Sequence, residues 1–355
     1  MNPAHTGAVT FASMSFPSNP TWSVNFVNPP SYALIVDGKV IVTVGLFGFT
    51  SEMYALDQAT GNTVWGPISI NGFSDATYDN GRVFAVCASI SSTSTVEAFD
   101  VNTGALDWST PVPSVSYISV GAPTAANGIV YIGGSNNGGM LNALDESTGT
   151  LLWTQPVQYG DDSAPALTAD GLYVSYPCQT YDFRPATGET IWHNNTGCAA
   201  SGGGTPVAAN QFLYSPDWQS GDTGDVFNTE TGASEGTYTT NSIPAFTASM
   251  GYFLQSGTLV GITLADNTVQ WSFSGDGQLI GAPIVVNQYV FIGSSSGNLY
   301  ALDGTTGVQV WNVNLGTAIG SNVYSVPLSG LAAGDGLLVV PAGTTLTAYT
   351  LSTNP

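Results

Sequence analysis

Short apolar runs that alternate with polar residues recur along the whole chain and are separated by turns. The segments Ala122 to Trp153 and Ala282 to Trp311 show this most clearly. They share Ala-Pro, a turn, an aromatic run, a Gly-rich turn, Ala-Leu-Asp, Thr-Gly and Trp. Alternation with period two over four to eight residues is typical of half-buried strands. Each segment therefore predicts four short antiparallel strands, which we name A to D in chain order.

The four-strand unit repeats with a nearly constant period. Eight anchor positions lie between residues 22 and 311, so the average step is about 41 residues. The anchors are Trp22, Trp65, Trp108, Trp153, Trp192, Gly236, Trp271 and Trp311. A repeat of this length with four strands is typical of a β-propeller blade. The sequence thus predicts an all-β fold, an eight-bladed propeller of four-stranded antiparallel blades.

The two ends of the chain complement each other. Residues 326–351 hold three strand-like runs and then lack the Trp strand, whereas residues 21–26 hold a Trp strand ahead of the first whole unit. We predict that this N-terminal strand completes the last blade and closes the ring, which removes its open edges. The chain is then a single domain, residues 1–355, with an arm (1–20), a closing strand (21–26), seven blades (27–325) and the composite eighth blade.

The repeated residues have structural roles in this scheme. The Asp of Ala-Leu-Asp can accept hydrogen bonds from backbone N–H groups of the following turn, and the Gly of Thr-Gly tolerates a positive φ. The Trp ring is large and flat enough to fill the wedge between two blades. The predicted structural residues are the seven anchor tryptophans together with Asp57, Asp100, Asp145 and Asp303.

These residues resemble the tryptophan-docking motif, Ala-x-Asp-x-x-x-Gly-x-x-x-Trp, of the PQQ-type eight-bladed β-propeller repeat. The resemblance covers nearly the whole chain and implies the propeller fold. Relatives in this superfamily include quinoprotein dehydrogenases, lipoprotein scaffolds of outer-membrane assembly and carbohydrate-active proteins, so the resemblance implies little about activity. It also implies that a site lies on the face formed by the B–C and D–A connections, here the B–C/D–A face. The opposite face is the A–B/C–D face.

The charge balance excludes several classes of partner. Lys and Arg total 3 against 24 Asp and Glu, which gives a formal net charge of -21. Nucleic acid and anionic membrane surfaces are therefore excluded as partners. No run of about 18 apolar residues occurs, so no transmembrane segment is predicted. A surface covered by Ser, Thr, Asn and Gly favours an extracellular or cell-surface location, although no signal-peptide pattern follows Met1.

The few cations also bear on the cofactor that the resemblance suggests. Lys39 and Arg82 follow A–B turns and Arg184 lies in a C–D turn, so all three are predicted on the A–B/C–D face. PQQ carries three carboxylates and needs basic partners, and the vicinal Cys pair of the quinoprotein enzymes is missing here. We therefore expect no PQQ and no other cofactor.

Cysteines and histidines are scarce. Cys178 and Cys198 fall in connections of the same face, which favours a disulfide between them, with two free thiols as the alternative. Cys87 lies in an apolar strand and is interpreted as a small buried hydrophobe. His5 and His193 are the two histidines, and they supply too few groups for a His-based triad or a zinc cluster.

Carboxylates in the connections are candidate ligands. Asp217, Asp222 and Asp225 lie in a long B–C insertion whose composition suits Ca²⁺ but lacks EF-hand spacing; a solvated loop is the alternative. Asp161 and Asp162 lie in a D–A connection on the same face. They form either part of an acid/base site or a turn.

Three aromatic residues of that face stand outside the repeat pattern: Trp218, Tyr117 and Tyr159. Rings beside Asp and Asn suit a sugar-binding or protein-binding surface, and local packing under loops is the alternative. With Asp217, Asp161 and Asp162 they form the predicted ligand-binding set.

Two function classes remain. The first is an extracellular, non-catalytic binding or scaffold propeller that presents its B–C and D–A loops to a protein, a neutral glycan or copies of itself. The second is an enzyme on the same face, either carbohydrate-active or a degenerate quinoprotein dehydrogenase. No catalytic constellation favours the second class, so we expect a binding protein.

Overall fold

The computed structural model describes residues 2–45, 50–70, 75–87, 94–112, 121–133, 139–158, 163–197, 203–217, 222–320 and 330–352. The regular structure of these ranges consists of strands, which form eight antiparallel sheets of four blade strands each. The all-β, eight-bladed prediction is confirmed. The blades are numbered 1 to 8 in chain order.

The strands of the first four blades follow one another along the chain. Blade 1 is formed by β3 (Leu34–Val36), β4 (Lys39–Val44), β5 (Ser51–Asp57) and β6 (Thr63–Ile70). Blade 2 is formed by β7 (Thr77–Asp79), β8 (Arg82–Cys87), β9 (Ser94–Asp100) and β10 (Leu106–Val112). Blade 3 is formed by β11 (Thr124–Ala126), β12 (Ile129–Ile132), β13 (Met140–Asp145) and β14 (Leu151–Pro156). Blade 4 is formed by β15 (Ala166–Leu167), β16 (Leu172–Tyr176), β17 (Gln179–Phe183) and β18 (Thr190–Asn195).

The other four blades include two N-terminal strands, β1 (Ala8–Val9) and β2 (Trp22–Asn25). Blade 5 is formed by β19 (Val207–Ala209), β20 (Phe212–Pro216), β21 (Thr223–Asn228) and β22 (Ser234–Thr239). Blade 6 is formed by β23 (Ala245–Phe246), β24 (Met250–Gln255), β25 (Thr258–Thr263) and β26 (Val269–Phe273). Blade 7 is formed by β27 (Leu279–Val286), β28 (Tyr289–Ser294), β29 (Asn298–Asp303) and β30 (Gln309–Asn314), with β1 added beside β27. Blade 8 is formed by β31 (Ala332–Gly334), β32 (Leu337–Ala342), β33 (Thr345–Thr350) and β2.

The first strand of each blade lies nearest the propeller axis. First strands of neighbouring blades contact one another around the ring, for example β3 with both β7 and β31. The fourth strands form the outer edge. A–B and C–D turns therefore share one face of the disc, and B–C and D–A connections share the other.

The ring closes in blade 8. β2 pairs antiparallel with β33, so that Trp22 lies opposite Ala348. The Trp22 Nε1 group donates a hydrogen bond to the Gln58 carbonyl of blade 1, 2.8 Å away. The predicted closure by an N-terminal strand is confirmed, because β2 joins the last blade and its Trp contacts the first.

Six blade junctions use the same contact between a Trp and a Gly. The Trp ring of one blade covers the Gly of the next blade's C–D turn, and a Cβ at that Gly would lie 2.6–2.9 Å from the ring. The pairs are Trp22 with Gly61, Trp65 with Gly104, Trp108 with Gly149, Trp153 with Gly188, Trp192 with Gly232 and Trp271 with Gly307. These glycines have φ of +68° to +72°, so both the turn and the Trp require a residue without a side chain.

Acidic side chains fix four of the six turns that hold these glycines. Asp303 Oδ1 accepts hydrogen bonds from the Thr305 and Thr306 N–H groups and from the Thr306 hydroxyl, at 2.9–3.1 Å. Asp57, Asp100 and Asp145 make the equivalent bonds in blades 1 to 3. Hydrogen bonds to the ionised form lower the pKa of all four carboxyl groups.

Two junctions are built differently. Between blades 5 and 6 the anchor is Gly236, and Tyr238 packs against Tyr214 and Phe253 with ring centroids 5.4 and 6.0 Å away. Between blades 7 and 8, Trp311 meets no C–D turn, since the fourth strand of blade 8 comes from the other end of the chain. The arm replaces that turn: the Phe16 ring stacks on Trp311 at 5.8 Å, and the Pro17 carbonyl accepts its Nε1–H at 3.0 Å.

Candidate functional site

The N-terminal segment 2–9 lies on the propeller axis, and we call it the axial segment. Its carbonyl groups accept hydrogen bonds from the innermost strands of four successive blades and from one A–B turn. The donors and acceptors are Leu167 N to Pro3 O (2.7 Å), Ala208 N to Ala4 O (3.0 Å), Phe246 N to Thr6 O (2.9 Å), Val285 N to Gly7 O (2.8 Å) and Asn287 N to Val9 O (3.0 Å). The axial segment therefore covers the inner edges of blades 4, 5, 6 and 7.

Local interactions shape the start of this segment. Asn2 Oδ1 accepts from the Thr6 N–H at 3.0 Å, and Asn2 Nδ2 donates to the Thr6 hydroxyl at 2.7 Å. This closes a turn in which His5 has a φ of +62°. Gly7 has a φ of +66° and lies so close to blade 6 that a Cβ there would be 3.2 Å from the Ala245 Cβ.

His5 is the polar side chain that ties the axial segment to blade 5. It is 6% exposed, and its Nδ1 lies 2.9 Å from the Pro206 carbonyl. Burial lowers the pKa of His5 to about 4, although the bond to Pro206 opposes this. The ring is therefore neutral at physiological pH, and Nδ1–H is the donor to the carbonyl.

A cavity of about 410 Å³ lies beside the axial segment on the axis. Blades 8, 1, 2 and 3 line it with their innermost strands, because the axial segment does not cover them. Blades 4 to 6 contribute residues that precede their innermost strands, including Ala164 and Pro244, and blade 7 contributes Pro283 from within β27. Its described lining contains no Asp, Glu, Lys or Arg. The cavity is an uncharged space at the centre of an acidic protein.

Most of the predicted ligand-binding set cannot be placed around this cavity. Trp218, Tyr117, Tyr159, Asp161 and Asp162 all lie outside the described residues. They remain predictions.

The predicted metal ligands are described. Asp217 and Asp222 lie in the connection between β20 and β21, but Asp225 lies within β21, opposite Ser215, and not in the loop that the sequence suggested. Burial, followed by the nearby Asp217 charge, raises the pKa of Asp225. In the described ranges no group of three or more His, Cys, Asp or Glu side chains is arranged to hold a metal ion.

Asp217 and Asp222 adjoin the axial cavity. They line a small crevice of about 20 Å³ between blades 5 and 6, together with Tyr238. Thr205, Ile243 and Pro244 line both the crevice and the cavity. The two carboxylates thus lie on the B–C/D–A face, next to the wall of the central space.

Another carboxylate of this face, Asp276, lies between β26 and β27. Its Oδ2 accepts hydrogen bonds from the Ser294 hydroxyl at 2.9 Å and the Asn298 amide at 2.8 Å, and also from Ser296. Burial opposes ionisation, but these hydrogen bonds outweigh it and lower the pKa of Asp276 to about 2. This carboxylate is therefore ionised at physiological pH.

All three cations of the chain lie on the A–B/C–D face. Lys39 Nζ donates to Asn102 Oδ1 at 2.9 Å. Arg82 pairs with Asp107 at 2.9 Å, and Arg184 pairs with Glu189 at 2.8 Å. Because the sequence contains only these three Lys and Arg residues, the cavity and the B–C/D–A face have no cation to offer an anionic ligand.

The histidines and cysteines do not form a catalytic cluster in the described ranges. His193 Nε2 lies 2.7 Å from Gln179 Oε1, and its ring stacks on Tyr181 at 4.0 Å in the outer part of blade 4, whereas His5 lies on the axis. Cys87 is a buried free thiol in β8, as its apolar strand indicated. Cys178 occupies the turn between β16 and β17 with a φ of +60°, and Cys198 lies outside the described residues.

Sequence reasoning missed the axial segment. It treated residues 1–20 as an arm without a role, because the segment binds through its carbonyl groups, which every residue has. The Ala-Pro that opens several repeats was the available signal for the cavity. Ala122, Pro123, Ala282 and Pro283 all line it, so the motif marks the wall of the central space.

Two comparisons place the chain among known sequences. A family model described as outer membrane protein assembly factor BamB matches residues 18–175 and 179–353. The dehydrogenase subunit of the quinone alcohol dehydrogenase of Gluconacetobacter polyoxogenes is 30% identical over 188 residues. That match covers 45% of this chain and only 24% of the enzyme, so the chain spans about a quarter of the length of this curated relative.

Solved structures share the fold. BamB from Moraxella catarrhalis superposes with a TM-score of 0.69 at 17% identity, covering 94% of this chain and 99% of that one. A quinohemoprotein alcohol dehydrogenase from Pseudomonas putida HK5 gives 0.70 at 15% identity, covering 95% and 77%. At these identities the likeness shows the propeller alone. In the described ranges no helix is long and apolar enough to span a membrane.

Proposed function

The chain belongs to the family of the outer membrane protein assembly factor BamB, a PQQ-like propeller repeat family, and we propose that it is a non-catalytic binding or scaffold propeller. It acts outside the cytoplasm and presents its B–C/D–A face to a protein partner. The observation that carries this proposal is that no Lys or Arg of the chain lies on this face, whereas described carboxylates do. Electrostatic complementarity then favours a partner segment that is neutral or basic.

The charged groups of the described residues support this proposal. Asp217, Asp222 and Asp276 lie on the B–C/D–A face, and Asp276 stays ionised down to low pH. Every Lys and Arg lies on the other face, where each is hydrogen-bonded or ion-paired. An acidic partner would be repelled by these carboxylates, whereas a basic one would be attracted.

The residues present do not fit PQQ, the cofactor suggested by the quinone dehydrogenases. PQQ is a tricarboxylate, and a buried anion needs paired charge or several donors. The axial cavity has no Lys or Arg in its lining, and the three cations of the chain are held on the opposite face. No step of a reaction is therefore assigned to this cofactor.

The predicted disulfide belongs to the same proposal. Cys178 and Cys198 are the two cysteines that remain once Cys87 is assigned as a free buried thiol. A disulfide between them suits a protein that acts in an oxidising compartment. Alkylation of the native protein followed by intact-mass analysis should modify no more than one cysteine. After reduction and unfolding, all three should react. Three modified thiols in the native, unreduced protein would contradict the bridge.

Binding of peptides of defined charge tests the proposed face. The probes are three soluble peptides of equal length that combine Gly and Ser with Lys, Asn or Glu. We expect the Lys peptide to bind most tightly and the Glu peptide not to bind. Replacing Asp217→Asn, Asp222→Asn and Asp276→Asn together should weaken binding of the Lys peptide about ten-fold.

A matched variant controls for net charge. Asp170→Asn, Glu230→Gln and Asp335→Asn remove the same number of charges from exposed turns of the A–B/C–D face. This variant should bind the Lys peptide within about two-fold of the wild type, since its substitutions lie away from the proposed face. Equal weakening by both variants would show nonspecific attraction to an acidic protein and would refute the assignment of the face.

The proposal also includes the three aromatic residues that lie outside the described ranges. Trp218, Tyr117 and Tyr159, with Asp161 and Asp162, are proposed to complete the contact surface. Trp218→Ala should weaken partner binding while leaving the thermal midpoint nearly unchanged. A glycan array and measurement of the oligomeric state test the other two partner classes, a neutral glycan and a second copy of the chain.

An enzyme is the second candidate, because 30% identity links 45% of the chain to a quinone alcohol dehydrogenase. Calorimetry with PQQ and Ca²⁺, followed by dye reduction with an alcohol or aldose, separates the two candidates. Micromolar PQQ binding with turnover would replace the scaffold proposal by a dehydrogenase.

A further inference from the structure

The eight innermost strands carry equivalent backbone donors, and the axial segment uses only half of them. Its partners in blades 5 and 7, Ala208 and Val285, lie opposite Leu213 and Val290 of the second strands. In both hairpins the following residue of the first strand pairs with the residue that lies directly after a two-residue turn. The two residues of such a flanking pair are hydrogen-bonded to each other through their backbone N–H and C=O groups. The N–H group of the first-strand residue one position before this pair therefore points away from the second strand. That direction is towards the axis.

The same register recurs in the four blades that the axial segment leaves uncovered. The equivalent pairs are Ile35 with Val40, Tyr78 with Val83, Ala125 with Val130 and Ala333 with Leu338. Each pair precedes one that flanks a two-residue turn. The N–H groups of Ile35, Tyr78, Ala125 and Ala333 therefore point towards the axis, and all four residues line the 410 Å³ cavity.

We propose that this cavity binds a second extended peptide segment, donated by the protein partner, whose carbonyl groups accept hydrogen bonds from Ile35, Tyr78, Ala125 and Ala333. The inference rests on the proposed scaffold function and names the recognition mode of its partner. The axial segment already shows this mode on blades 4 to 7. The unused half of the ring offers the same donors in the same arrangement.

The lining sets the chemistry of the occupant. Without a charged group in its described lining, the cavity excludes a segment with Asp, Glu, Lys or Arg side chains directed into it. Around the ring the lining is formed largely by Ala, Pro, Thr, Leu and Ile, which suits small apolar side chains. The axial segment has this composition, Pro-Ala-His-Thr-Gly-Ala-Val from residue 3 to residue 9. A Pro, Ala, Gly and Val-rich strand is therefore the expected partner segment.

The axial sequence itself is the probe. An acetylated and amidated peptide of residues 3–9 is titrated into the full-length protein with ¹⁵N-labelled Ala and Ile, and the amide signals are followed. We expect saturable shifts of the Ile35, Ala125 and Ala333 amides. The same peptide carrying Ala4→Glu and Ala8→Glu should bind at least ten-fold more weakly. No shift at millimolar peptide would overturn the proposal, and so would a shift confined to Ala208, which indicates exchange with the bound axial segment.

Proline substitutions test the donors directly. Ala125→Pro with Ala333→Pro removes two N–H groups that point away from the hairpin ladder, so the sheets are retained. The control, Ala125→Val with Ala333→Val, adds a similar volume and keeps both N–H groups. We expect the proline variant to lose at least ten-fold in peptide affinity relative to the valine variant. Equal affinities would overturn the proposal, and if the proline variant fails to fold, the amide shifts of the wild type decide.

Different variants test the two proposals, binding of a partner at the B–C/D–A face and binding of a peptide in the axial cavity. Variants Asp217→Asn, Asp222→Asn and Asp276→Asn affect binding at the B–C/D–A face and should leave binding of the uncharged peptide within about two-fold. If the face variants weaken partner binding while the proline variant does not, the scaffold function stands and the axial mode is wrong.

Discussion

Six blade junctions are held by a Trp that covers a Gly, whereas the junctions between blades 5 and 6 and between blades 7 and 8 are not. In the six, the Trp Nε1 also donates to a carbonyl of the next blade, as Trp271 does to Gly304 at 2.9 Å. In the other two, Tyr238 and the pair of Phe16 and Pro17 occupy the corresponding places. All eight junctions fill their wedge with an aromatic ring.

The two types of junction show that the ring needs a filled wedge between blades, and that the Trp and Gly of the repeat are one way to fill it. Closing eight blades leaves a wedge at every junction, and an empty wedge costs contact and hydrophobic energy. Trp and Gly fill it when a C–D turn is present. Between blades 5 and 6 the Trp is missing, and Tyr238, two positions after Gly236 on the same side of the strand, fills the wedge. Between blades 7 and 8 the C–D turn is missing, and Phe16 of the arm fills the wedge. The filled volume is essential and the residue type is not.

The largest effect is expected from removing residues 2–27, because this takes away β2, Trp22 and the Phe16 contact together. Blade 8 loses its fourth strand, and two sheet edges open. We expect the thermal midpoint to fall by more than in any single-residue variant, or folding to fail. Circular dichroism during heating measures this.

A shorter deletion is the control. Removing residues 2–9 alone keeps Phe16, Pro17 and β2, and exposes only the inner edges of blades 4 to 7. The midpoint should fall clearly less than for the long deletion. Equal midpoints for the two deletions would mean that the composite blade contributes little to closure.

The second prediction concerns a regular junction. Trp271 is 8% exposed, and Trp271→Ala leaves a cavity against Gly307, so the free energy of unfolding should fall by about 3–5 kcal/mol. Denaturant unfolding measures the change. At the irregular junction between blades 7 and 8, Phe16→Ala should cost less, because Trp311 remains and keeps its bond to Pro17. A larger loss for Phe16→Ala than for Trp271→Ala would reverse the ranking of the two junction types.

The junction between blades 4 and 5 contains a buried acid where most other blades have Ala. Asp182 is 2% exposed, and Gly171 leaves it room, since a Cβ there would lie 2.5 Å from its Oδ1. Burial raises the pKa of Asp182 to about 8, well above the ordinary value of 3.8 for an Asp side chain. Between these two values the folded state holds a proton that the unfolded chain has released, so the contribution of Asp182 to stability falls as pH rises.

A neutral isostere isolates this effect. Relative to Asp182→Asn, the wild type should lose stability between pH 6 and 7 by at most about 1.4 kcal/mol, the value of one fully titrating proton. Urea unfolding of both proteins at several pH values measures the difference. A constant difference from pH 4 to 8 would show that Asp182 does not titrate in this window.

The regular junctions could be predicted from the sequence because their parts are local. Asp303, Gly307 and Trp311 lie within nine residues of one another, and their spacing repeats. The contact that replaces the motif between blades 7 and 8 could not be predicted, because Phe16 and Trp311 are distant in sequence and meet only once the ring has closed. The axial segment has even less signal, since any residue carries the carbonyl groups by which Pro3, Ala4 and Gly7 are held. The described carboxylates Asp217 and Asp222 lie in the B–C connection as the sequence indicated, and their role in binding stays a prediction, but the cavity was not foreseen.

A small effect is also expected from restoring the motif at the junction between blades 5 and 6. If a missing Trp were the defect of this junction, Gly236→Trp would stabilise the protein. Two observations argue against that: Gly236 has a φ of +122°, which L side chains rarely adopt, and the wedge already holds Tyr238, packed so tightly that a Cβ at Gly224 would lie 2.5 Å from its ring. We therefore expect Gly236→Trp to lower the free energy of unfolding by about 1–2 kcal/mol, the cost of an unfavourable backbone conformation. In the background of Tyr238→Ala the wedge is free, and the same substitution should cost less or stabilise. Stabilisation by Gly236→Trp in the wild type would show that the Trp itself, and not the filled volume, is what the ring requires.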